Sequence, residues 1–342
     1  MKALVYHGPG RRTWEEKPEP AVQQPTDAVV RITHTTICGT DLHILKGDVP
    51  TCEPGRTLGH EGVGVVESVG DGVATLKPGD QVLISCITSC GRCDYCKEGM
   101  YSHCRDGGWI LGHLIDGTQA ESVRIPHADN SLYKLPAGLD SESAVMLSDI
   151  LPTGHEIGAL AGEVGLGDTV AIVGSGPIGL AALLTARFYS PARIIMIDPD
   201  ENRLETARQL GATDGISRDP VGAIMEITDG EGVDVAMEAV GIPETFDTCQ
   251  RIVRPGGHIA NIGVHGTSVE FHLQDLWIKN VTVRTGLVNT NTIPVLMRIL
   301  ESGGVDAQSL ITHHFPLKDV EKAYDVFEDA ANEKAIKMIL AA

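Results

Sequence analysis

The hydrophobic pattern changes near residue 150 and divides the chain into two parts. Before that point, short runs rich in Val, Gly and Thr, such as 29–33, 62–69 and 81–84, are separated by turn residues. After about residue 153, apolar strands alternate with helical stretches. Short runs of the first kind predict antiparallel strands, whereas strand–helix alternation predicts a parallel sheet covered by helices. We therefore expect a β-rich region followed by an α/β domain with a doubly wound parallel sheet.

The apolar runs, and the Gly and Pro residues that interrupt them, set the limits of the predicted elements. In the second part, strands are predicted at 169–173, 194–198, 233–240 and 258–262, and helices at 180–188, 201–210 and 243–253. The tail after about residue 289 predicts helices at 293–302 and 318–329 and a last strand at 335–340. This alternation implies five or six strands in the parallel sheet.

A glycine-rich loop joins the first strand of the second part to the following helix. The loop consists of Gly174, Ser175, Gly176, Pro177, Ile178 and Gly179. Gly174 permits a tight turn, Gly176 lets the backbone approach a pyrophosphate, and Gly179 lets the helix pack on the strand. The helix N-terminus supplies a positive dipole end. Because the next strand ends in an acid, Asp198, about 20 positions later, we predict a dinucleotide site of the Rossmann type.

Asp198 also indicates which dinucleotide is bound. A carboxylate can accept hydrogen bonds from both hydroxyls of the adenosine ribose of NAD, but it repels the 2′-phosphate of NADP. The next five residues contain one cation, Arg203. We therefore predict NAD as the cofactor. The alternative is that Asp198 only caps the next helix, a task that Asp200 could also perform.

Four of the eight cysteines are closely spaced, as Cys90-x₂-Cys93-x₂-Cys96-x₇-Cys104. Four thiolates at this spacing can close a tetrahedral shell around Zn²⁺, and a closed shell leaves no position for water or substrate. We predict a structural zinc site in a lobe at about 86–108. Disulfide pairing is the alternative, and the cytoplasmic location inferred below disfavours it. Cys52, Cys86 and Cys249 are expected to be ordinary buried residues.

A second set of potential metal ligands lies between Cys38 and Gly70. A thiolate, an imidazole and a carboxylate occur here as Cys38, His60 and Glu61, with glycines on either side of the His-Glu pair. These donors suit a borderline-soft ion such as Zn²⁺, and an oxygen ligand leaves an exchangeable position. Asp41 is expected to accept the other ring N–H of His60 and fix its tautomer.

These motifs resemble those of the zinc-dependent medium-chain dehydrogenase/reductase family, which includes the zinc-containing alcohol dehydrogenases. Its zinc signature is matched by Gly59-His60-Glu61-x₂-Gly64-x₅-Gly70-x₂-Val73, and its first-ligand segment by Cys38-Gly39-Thr40-Asp41-x-His43. The resemblance covers essentially the whole chain. It implies a GroES-like catalytic domain at 1–152 and 289–342, a Rossmann domain at 153–288, and two Zn²⁺ per chain, the second held by the four spaced cysteines.

The third ligand of the catalytic zinc is implied by the resemblance. No cysteine occurs between Cys104 and Cys249, and Asp149 stands where the family places this ligand. A carboxylate here is similar to the bacterial secondary-alcohol dehydrogenase branch. Asp149 could instead cap the following helix. A second Gly-His-Glu at 154–156 lacks the downstream glycines and is expected to be helical.

The resemblance also implies roles for further residues. Thr40 would take the proton of the alcohol, His43 would pass it to solvent, and Glu61 would be a fourth, exchangeable zinc ligand. Trp109 would line the substrate pocket, with a core tryptophan as the alternative. Lys337 would contact the pyrophosphate, with a solvated lysine as the alternative. Residues at the carboxyl ends of strands would flank the rest of the NAD, namely Val240, Gly241, Gly263 and Leu287.

Composition and charge narrow the possible partners. The 342 residues include 27 Lys and Arg against 46 Asp and Glu, a formal net charge of −19 at pH 7. Such a charge repels nucleic acids and anionic membranes. The N-terminal residues lack the apolar core of a signal peptide, and no apolar run approaches the ~18 residues of a membrane span. We expect a cytoplasmic protein with neither nucleic acid nor membrane as a partner.

Together these features predict an NAD- and zinc-dependent alcohol dehydrogenase that interconverts small alcohols with aldehydes or ketones. A polyol or amino-alcohol (threonine-type) dehydrogenase of the same family has the same motifs and is the first alternative. A zinc- and NAD-binding protein without catalysis is the second, which the presence of Thr40, His43 and Asp149 disfavours. The chain lacks the extra loops of the dimeric liver-type enzymes, which implies a homotetramer by analogy.

Overall fold

The computed structural model describes residues 1–342, which form two compact units. Unit 1 comprises residues 1–149 and 289–342, and unit 2 comprises residues 150–288. The first division lies at Asp149/Ile150, whereas the sequence analysis placed it at 152/153. The reason is that residues 150–160 form helical turns that pack against the helix following the glycine-rich loop.

Unit 1 is built mainly from antiparallel strands, numbered here along the whole chain. Its strands are β1 (Lys2–Tyr6), β2 (Arg12–Glu16), β3 (Ala28–Thr36), β4 (Gly62–Val69), β5 (Gln81–Ile84), β6 (Ser122–Ile125), β7 (Leu132–Lys134), β14 (Ile311–Pro316) and β15 (Lys337–Ala341). β1 and β2 form a hairpin, and the others form one sheet in the order β14-β15-β3-β4-β5-β7, with β6 paired to β3. Within this sheet only β14 and β15 run parallel to each other.

The helices of unit 1 are short. They are α1 (Gly39–Lys46), α2 (Asp94–Lys97), α3 (Ala128–Ser131), α4 (Ser141–Val145), α11 (Ile293–Glu301), α12 (Val320–Glu328) and α13 (Ala330–Glu333). α12 packs its buried residues into a cluster that also receives side chains from β1, α1 and β15. This cluster lies beside the segment that leads from β3 into α1, where Cys38 is located.

Alternate residues of β3 are apolar and pack in the core of unit 1. Ala28, Val30 and Ile32 are fully buried in one cluster with Val82 and Ile84 of β5. Burial of each Val or Ile side chain contributes about 1.5–3 kcal/mol. The tail of the chain returns to the first part as predicted, because β15 pairs with the end of β3. The site residues after β3 therefore lie next to the last strand of the chain.

Unit 2 contains a six-stranded parallel sheet. Its strands are β8 (Thr169–Val173), β9 (Arg193–Ile197), β10 (Asp214–Ile216), β11 (Val233–Glu238), β12 (Val253–Asn261) and β13 (Thr282–Thr285). Their spatial order is β10-β9-β8-β11-β12-β13, and every neighbouring pair is parallel. In chain order this is 3-2-1-4-5-6, which is the doubly wound Rossmann arrangement. The predicted sheet is confirmed.

The helices of unit 2 connect these strands. They are α5 (Ile150–Thr153), α6 (Pro177–Ala186), α7 (Glu201–Gln209), α8 (Pro220–Ile227), α9 (Pro243–Ile252) and α10 (Leu273–Leu276), with a π-helical stretch at Gly154–Leu160. From Gly179 to Ala186, α6 is buried on all sides, which explains its continuous apolar sequence. No helix of the protein is long and apolar enough to cross a membrane.

One predicted boundary in unit 2 is wrong. β12 begins at Val253, whereas Pro255-Gly256-Gly257 was expected to separate a helix from a strand starting at 258. The ladder between β11 and β12 shifts register between Val233 and Val235. Between these two pairs β11 has one residue and β12 has four, so the irregularity accommodates three extra residues and the Pro-Gly-Gly segment lies within the strand.

Candidate active site

The structure brings Cys38, His60 and Asp149 together in unit 1. One donor atom from each lies within 4.8 Å of the others. Nε2 of His60 is 3.2 Å from Oδ2 of Asp149, and Sγ of Cys38 is 3.8 Å from the same oxygen. Sulfur, nitrogen and oxygen donors at these separations suit a tetrahedral Zn²⁺ with one open position. The arrangement fits a catalytic metal centre.

Each of the three side chains is positioned by the end of an element. Cys38 is the N-cap residue of α1, and Asp149 precedes α5. His60 lies just before β4, after a glycine with a φ of 90° at position 59. A Cβ at Gly59 would lie 2.9 Å from the backbone nitrogen of Gln119, so the turn that presents His60 requires glycine.

Hydrogen bonds fix the segment that contains His60. The hydroxyls of Thr35 and Thr118 both donate to the carbonyl oxygen of Glu61, at 2.6 and 2.8 Å. The Gly62 N–H donates to Oγ of Ser148 at 3.1 Å. Because Ser148 precedes Asp149 in the chain, this bond connects the candidate ligand Asp149 to the beginning of β4.

The charges around His60 favour a cation. Burial by itself lowers the pKa of His60, but hydrogen bonds with Asp149 and Cys38 outweigh it, and the pKa is raised well above its ordinary value. Asp41 adds to this effect, with Oδ1 at 3.7 Å from Nδ1 of His60. Positive charge is therefore stabilised at this point, and a divalent cation would supply it.

Glu61 and Lys337 form a buried ion pair, which the sequence did not predict. Nζ of Lys337 is 2.5 Å from Oε2 of Glu61, and the Thr36 hydroxyl donates to the same carboxylate oxygen. Lys337 is 2% exposed and also donates to the carbonyl oxygen of Ile37 at 3.2 Å. Burial by itself lowers the pKa of Lys337, but the charge of Glu61 raises it above its ordinary value, so the lysine stays protonated.

This geometry corrects the expectation for Lys337. A pyrophosphate contact and a solvated lysine both need an accessible ammonium group, and the group is enclosed in unit 1. The physical reason is that β15 lies inside the sheet and is buried from Lys337 to Leu340, so it has no solvent face at that position. Glu61 does not belong to the group of Cys38, His60 and Asp149, although its Oε1 is buried without a hydrogen-bond partner.

The two residues of the predicted proton relay lie on α1. Oγ1 of Thr40 is 3.7 Å from Sγ of Cys38, beside the candidate metal ligands. His43 lies one turn further, and its side chain is 32% exposed. Nδ1 of His43 is 2.9 Å from Oδ2 of Asp48, which fixes the orientation of the ring. The order Thr40, His43, solvent is compatible with movement of a proton outwards.

The four spaced cysteines also converge. Their sulfur atoms lie within 4.8 Å of one another, and all are free thiols. Hydrogen bonds from the N–H groups of Arg105 and Cys96 lower the pKa of Cys93 to about 6, whereas burial raises the pKa of Cys96 to about 12. A bound Zn²⁺ would ionise all four, because a coordinating thiol is deprotonated. The donor set fits a closed, structural zinc site.

Cys93→Ser is expected to reduce stability without changing substrate preference. A closed zinc site contributes folding energy directly, so the variant should lose one zinc and melt at a lower temperature. Zinc content and thermal unfolding measure this. Cys52→Ser is the matched control, since Cys52 is buried outside the cluster and its loss should leave zinc content unchanged. Full zinc content in Cys93→Ser would contradict the assignment.

The glycine-rich loop has the geometry of a dinucleotide site. Gly174 has a φ of 107°, and a Cβ at Gly179 would lie 1.9 Å from the Gly174 carbonyl oxygen. A Cβ at Gly176 would meet no atom within 4 Å, so this backbone borders open space. Pro177 and Ile178 begin α6, which directs its N-terminus towards the loop. The loop fits a pyrophosphate.

Asp198 supports this loop directly. It is 5% exposed, and Oδ2 accepts a hydrogen bond from the Ser175 N–H at 2.8 Å. Asp200 is the N-cap of α7 and accepts from the Asn202 N–H, so the capping task does not fall to Asp198. Arg203 lies 3.9 Å from each of the two carboxylates.

Comparison with known proteins decides the family. Residues 24–137 match the family model described as "Alcohol dehydrogenase GroES-like domain", and residues 177–302 match "Zinc-binding dehydrogenase". An alcohol dehydrogenase of Cupriavidus necator is 38% identical over 96% of this chain and 95% of its own length. The chain belongs to the zinc-dependent medium-chain dehydrogenase family. It is an oxidoreductase of the alcohol dehydrogenase type that uses zinc and a nicotinamide cofactor.

Further members of the family are also similar over nearly their whole length. A structure described as "Zinc dependent alcohol dehydrogenase 2 from Streptococcus pneumonia - apo form" matches with a TM-score of 0.96 and 57% identity, over 100% of this chain and 98% of that one. An L-threonine 3-dehydrogenase of Bacillus licheniformis is 32% identical over 98% of both chains. Of two solved relatives, each 27% identical, one holds NADH and the other NADP.

Among the family residues predicted for the nicotinamide cofactor, four follow the carboxyl ends of strands in unit 2. Val240 and Gly241 follow β11, Gly263 follows β12, and Leu287 follows β13. The side chains of Val240 and Leu287 are both more than 40% exposed, as ligand-facing residues at a crevice can be. These positions match the prediction in sequence, and their contacts with a cofactor stay a prediction.

Two site-supporting residues were missed by the sequence analysis. Glu238 is fully buried, and its Oε1 accepts hydrogen bonds from the N–H groups of Val240 and Gly241 at 2.9 and 2.8 Å. His113 stacks on Trp109 with ring centroids 4.3 Å apart, and Nε2 of His113 is 2.5 Å from Oγ1 of Thr51. An acid that ends an apolar strand was a usable signal for Glu238, but no local pattern indicates His113.

Proposed function

We propose that this dehydrogenase holds two zinc ions per chain, uses NAD, and oxidises small primary or secondary alcohols to aldehydes or ketones. The catalytic ion is assigned to Cys38, His60 and Asp149, and the structural ion to the four spaced cysteines. The observation that supports the proposal best is the convergence of three different donor types, from three distant segments, within 4.8 Å. The four spaced cysteines offer sulfur alone, whereas these three residues form a mixed donor set.

The residues around the catalytic site act on the alcohol and its proton. Zinc held by Cys38, His60 and Asp149 would supply the Lewis acidity that lowers the pKa of the hydroxyl, and bound NAD would supply the hydride acceptor. Thr40 accepts the hydroxyl proton at Oγ1 as it gives up its own hydroxyl proton towards His43, and His43 transfers a proton to solvent. Trp109, packed against the cluster of α12 and stacked on His113, forms an apolar wall for the substrate. Glu61 lies outside the group of three and is paired with Lys337 through Oε2, so as an exchangeable fourth ligand it would offer only its unpartnered Oε1.

A threonine-type dehydrogenase is the second candidate, because a relative of that description is 32% identical over nearly the whole chain. The deciding experiment measures zinc content and NADH formation with 2-propanol, sorbitol and L-threonine. Turnover of 2-propanol well above that of the other two supports the alcohol assignment. A clear preference for L-threonine or sorbitol would replace it with the alternative, and one zinc per chain would remove the catalytic ion.

Asp198→Ala is expected to change cofactor preference. Removing the carboxylate deletes its hydrogen bonds to the ribose, so kcat/KM with NAD should fall roughly 10- to 100-fold. It also removes the repulsion of a 2′-phosphate, so kcat/KM with NADP should rise or stay the same. Steady-state kinetics with both cofactors measure this. Asp200→Ala is the matched control, because it removes the cap of α7 and a 3.9 Å contact with Arg203 but leaves Asp198 in place. A wild-type enzyme that prefers NADP would contradict the assignment.

We also propose that the chain self-associates through the edge of the unit 2 sheet. β13 pairs with β12 on one side only, and Val283 on this strand is exposed. Leu273, Trp277 and Ile278 lie close in sequence and are more than half exposed. An unprotected edge beside apolar side chains suits pairing with a second copy about a twofold axis. Light scattering tests this, with a homotetramer expected from the family and a monomer contradicting it.

A cytoplasmic location is proposed from the cysteines. None of the eight forms a disulfide, and the four spaced thiols can bind zinc only when reduced. Cell fractionation tests the location, and recovery of the protein from an oxidising compartment would contradict it.

A further inference from the structure

A chain of buried hydrogen bonds connects α12 with the residues around His60. The Tyr324 hydroxyl donates to Oε1 of Gln119 at 2.9 Å, and Nε2 of Gln119 donates to Oδ2 of Asp41 at 3.1 Å. Oδ1 of Asp41 faces Nδ1 of His60 at 3.7 Å. Tyr324 and Gln119 are completely buried, and Asp41 is 1% exposed. Groups buried this deeply exchange no hydrogen bonds with water, so their partners in the protein determine their orientation.

The hydrogen bonds to Asp41 are divided unequally between its two oxygens. Oδ2 accepts from the N–H of Cys38 at 3.0 Å and from Gln119. Oδ1 is buried and makes no hydrogen bond. Two donors on one oxygen fix the carboxylate rotamer and leave the other oxygen facing the imidazole. In metal sites, a carboxylate in this position accepts the second ring N–H of the ligating histidine, and it thereby sets the tautomer and the orientation of the ring.

Gln119 can hold Asp41 only if its amide has one orientation. Nε2 donates both to Oδ2 of Asp41 and to the carbonyl oxygen of Thr36, at 3.1 and 3.0 Å. The reversed amide would place Oε1 against these two acceptors, and both contacts would become repulsive. The Tyr324 hydroxyl supports the same orientation because it donates to Oε1. Burial raises the pKa of Tyr324 well above its ordinary value, so the hydroxyl keeps the proton that it donates.

Both residues are themselves held firmly. The backbone N–H of Gln119 donates to the carbonyl oxygen of Leu58 at 3.0 Å, within the segment that leads to His60. Tyr324 packs in the cluster of α12, and the Arg12 guanidinium lies 4.6 Å from the centre of its ring. Arg12 is in turn paired with Asp325 at 2.9 Å and with Glu328.

We propose that Gln119 and Tyr324 are positioning residues of the catalytic metal centre, and that they set its zinc affinity by orienting Asp41 towards His60. They touch neither the metal ligands' donor atoms nor a substrate position, and they act through Asp41. The proposal rests on the metal centre assigned above to Cys38, His60 and Asp149. It gives α12 an influence, through Gln119 and Asp41, on a ligand that lies 264 positions earlier in the chain than Tyr324.

The test measures zinc affinity rather than activity. Zinc-loaded protein is titrated with a chromophoric chelator, and the four-cysteine site in the same molecule serves as the internal reference. Gln119→Met keeps the length of the side chain but removes its hydrogen bonds, and it should weaken the catalytic site about tenfold. Tyr324→Phe removes one hydroxyl and should weaken it by a smaller factor. Tyr6→Phe is the matched control, because Tyr6 is buried in the same cluster but lies outside the chain of hydrogen bonds.

A double-mutant cycle separates positioning from general destabilisation. If Gln119 acts through Asp41, Gln119→Met should have no further effect on zinc affinity in an Asp41→Ala background. An equal effect in both backgrounds, or equal weakening of both zinc sites, overturns the inference. Unchanged affinity in Gln119→Met and Tyr324→Phe overturns it as well, while the proposed metal centre stands. A wild-type protein that keeps only the four-cysteine zinc removes the centre itself and the inference with it.

Discussion

Asp149→Asn is expected to abolish most turnover while the fold and the binding of NAD are retained. Asn is close to Asp in size and caps helices about as well. It has no charge, however, so the site of Cys38 and His60 loses an anionic donor. Zinc affinity there should fall by more than the roughly 10- to 100-fold that the loss of an outer-shell contact costs. Zinc content, kcat and NAD affinity measure the three parts of the prediction.

Asp140→Asn is the matched control for this experiment. Asp140 is the N-cap of α4 in the same unit and accepts a hydrogen bond from the Ser143 N–H at 2.8 Å. An asparagine should replace it at little cost in stability and none in zinc. Asp149→Cys, which restores a thiolate, should recover zinc before it recovers rate. Full zinc content and near-normal turnover in Asp149→Asn would remove Asp149 from the site.

Lys337→Met should give the largest loss of stability of any lysine substitution in the protein. It removes the cation from a buried ion pair and leaves the carboxylate of Glu61 uncompensated at 1% exposure. Breaking such a pair from one side costs about 3–5 kcal/mol of the free energy of unfolding. Denaturant unfolding followed by tryptophan fluorescence measures it, because Trp14 and Trp109 both lie in unit 1.

Two further variants show whether the loss comes from the unpaired charge. Lys322→Met changes an exposed lysine on α12 and should alter stability by less than about 0.5 kcal/mol. Adding Glu61→Gln to Lys337→Met removes the unpaired charge and should restore part of the lost stability. If the free energy of unfolding of Lys337→Met is within about 1 kcal/mol of the wild-type value, the ion pair of Glu61 and Lys337 is not an important part of the unit 1 core.

Local motifs allowed much of the site to be predicted. The glycine-rich loop and the four spaced cysteines each lie within one short segment, so sequence spacing determines their geometry almost completely. Asp198 could be predicted too, because it follows β9, and the carboxyl ends of parallel strands meet at the edge of the sheet where the loop lies. Comparison with relatives confirmed the zinc-dependent dehydrogenase family that these motifs indicated.

Residues far apart in the chain could not be paired from the sequence. Lys337 matched a family position in the linear order, yet the structure pairs its ammonium with Glu61. In a strand, a shift of one residue turns a side chain to the opposite face, so the sheet register decides such contacts. Gln119 and Glu238 are further cases, because buried polar residues resemble surface residues until their partners are known.

By itself, the sequence determined the fold class, the two sets of candidate zinc ligands and the dinucleotide loop. Each depends on local spacing, on the hydrophobic period or on a turn that only glycine permits. Only the tertiary structure decided that Lys337 is enclosed beside Glu61 and that Tyr324, Gln119 and Asp41 form one chain of hydrogen bonds. These contacts depend on how β15 and α12 return to the strands of the first part. A polar side chain that is buried there needs a hydrogen-bond partner within the protein.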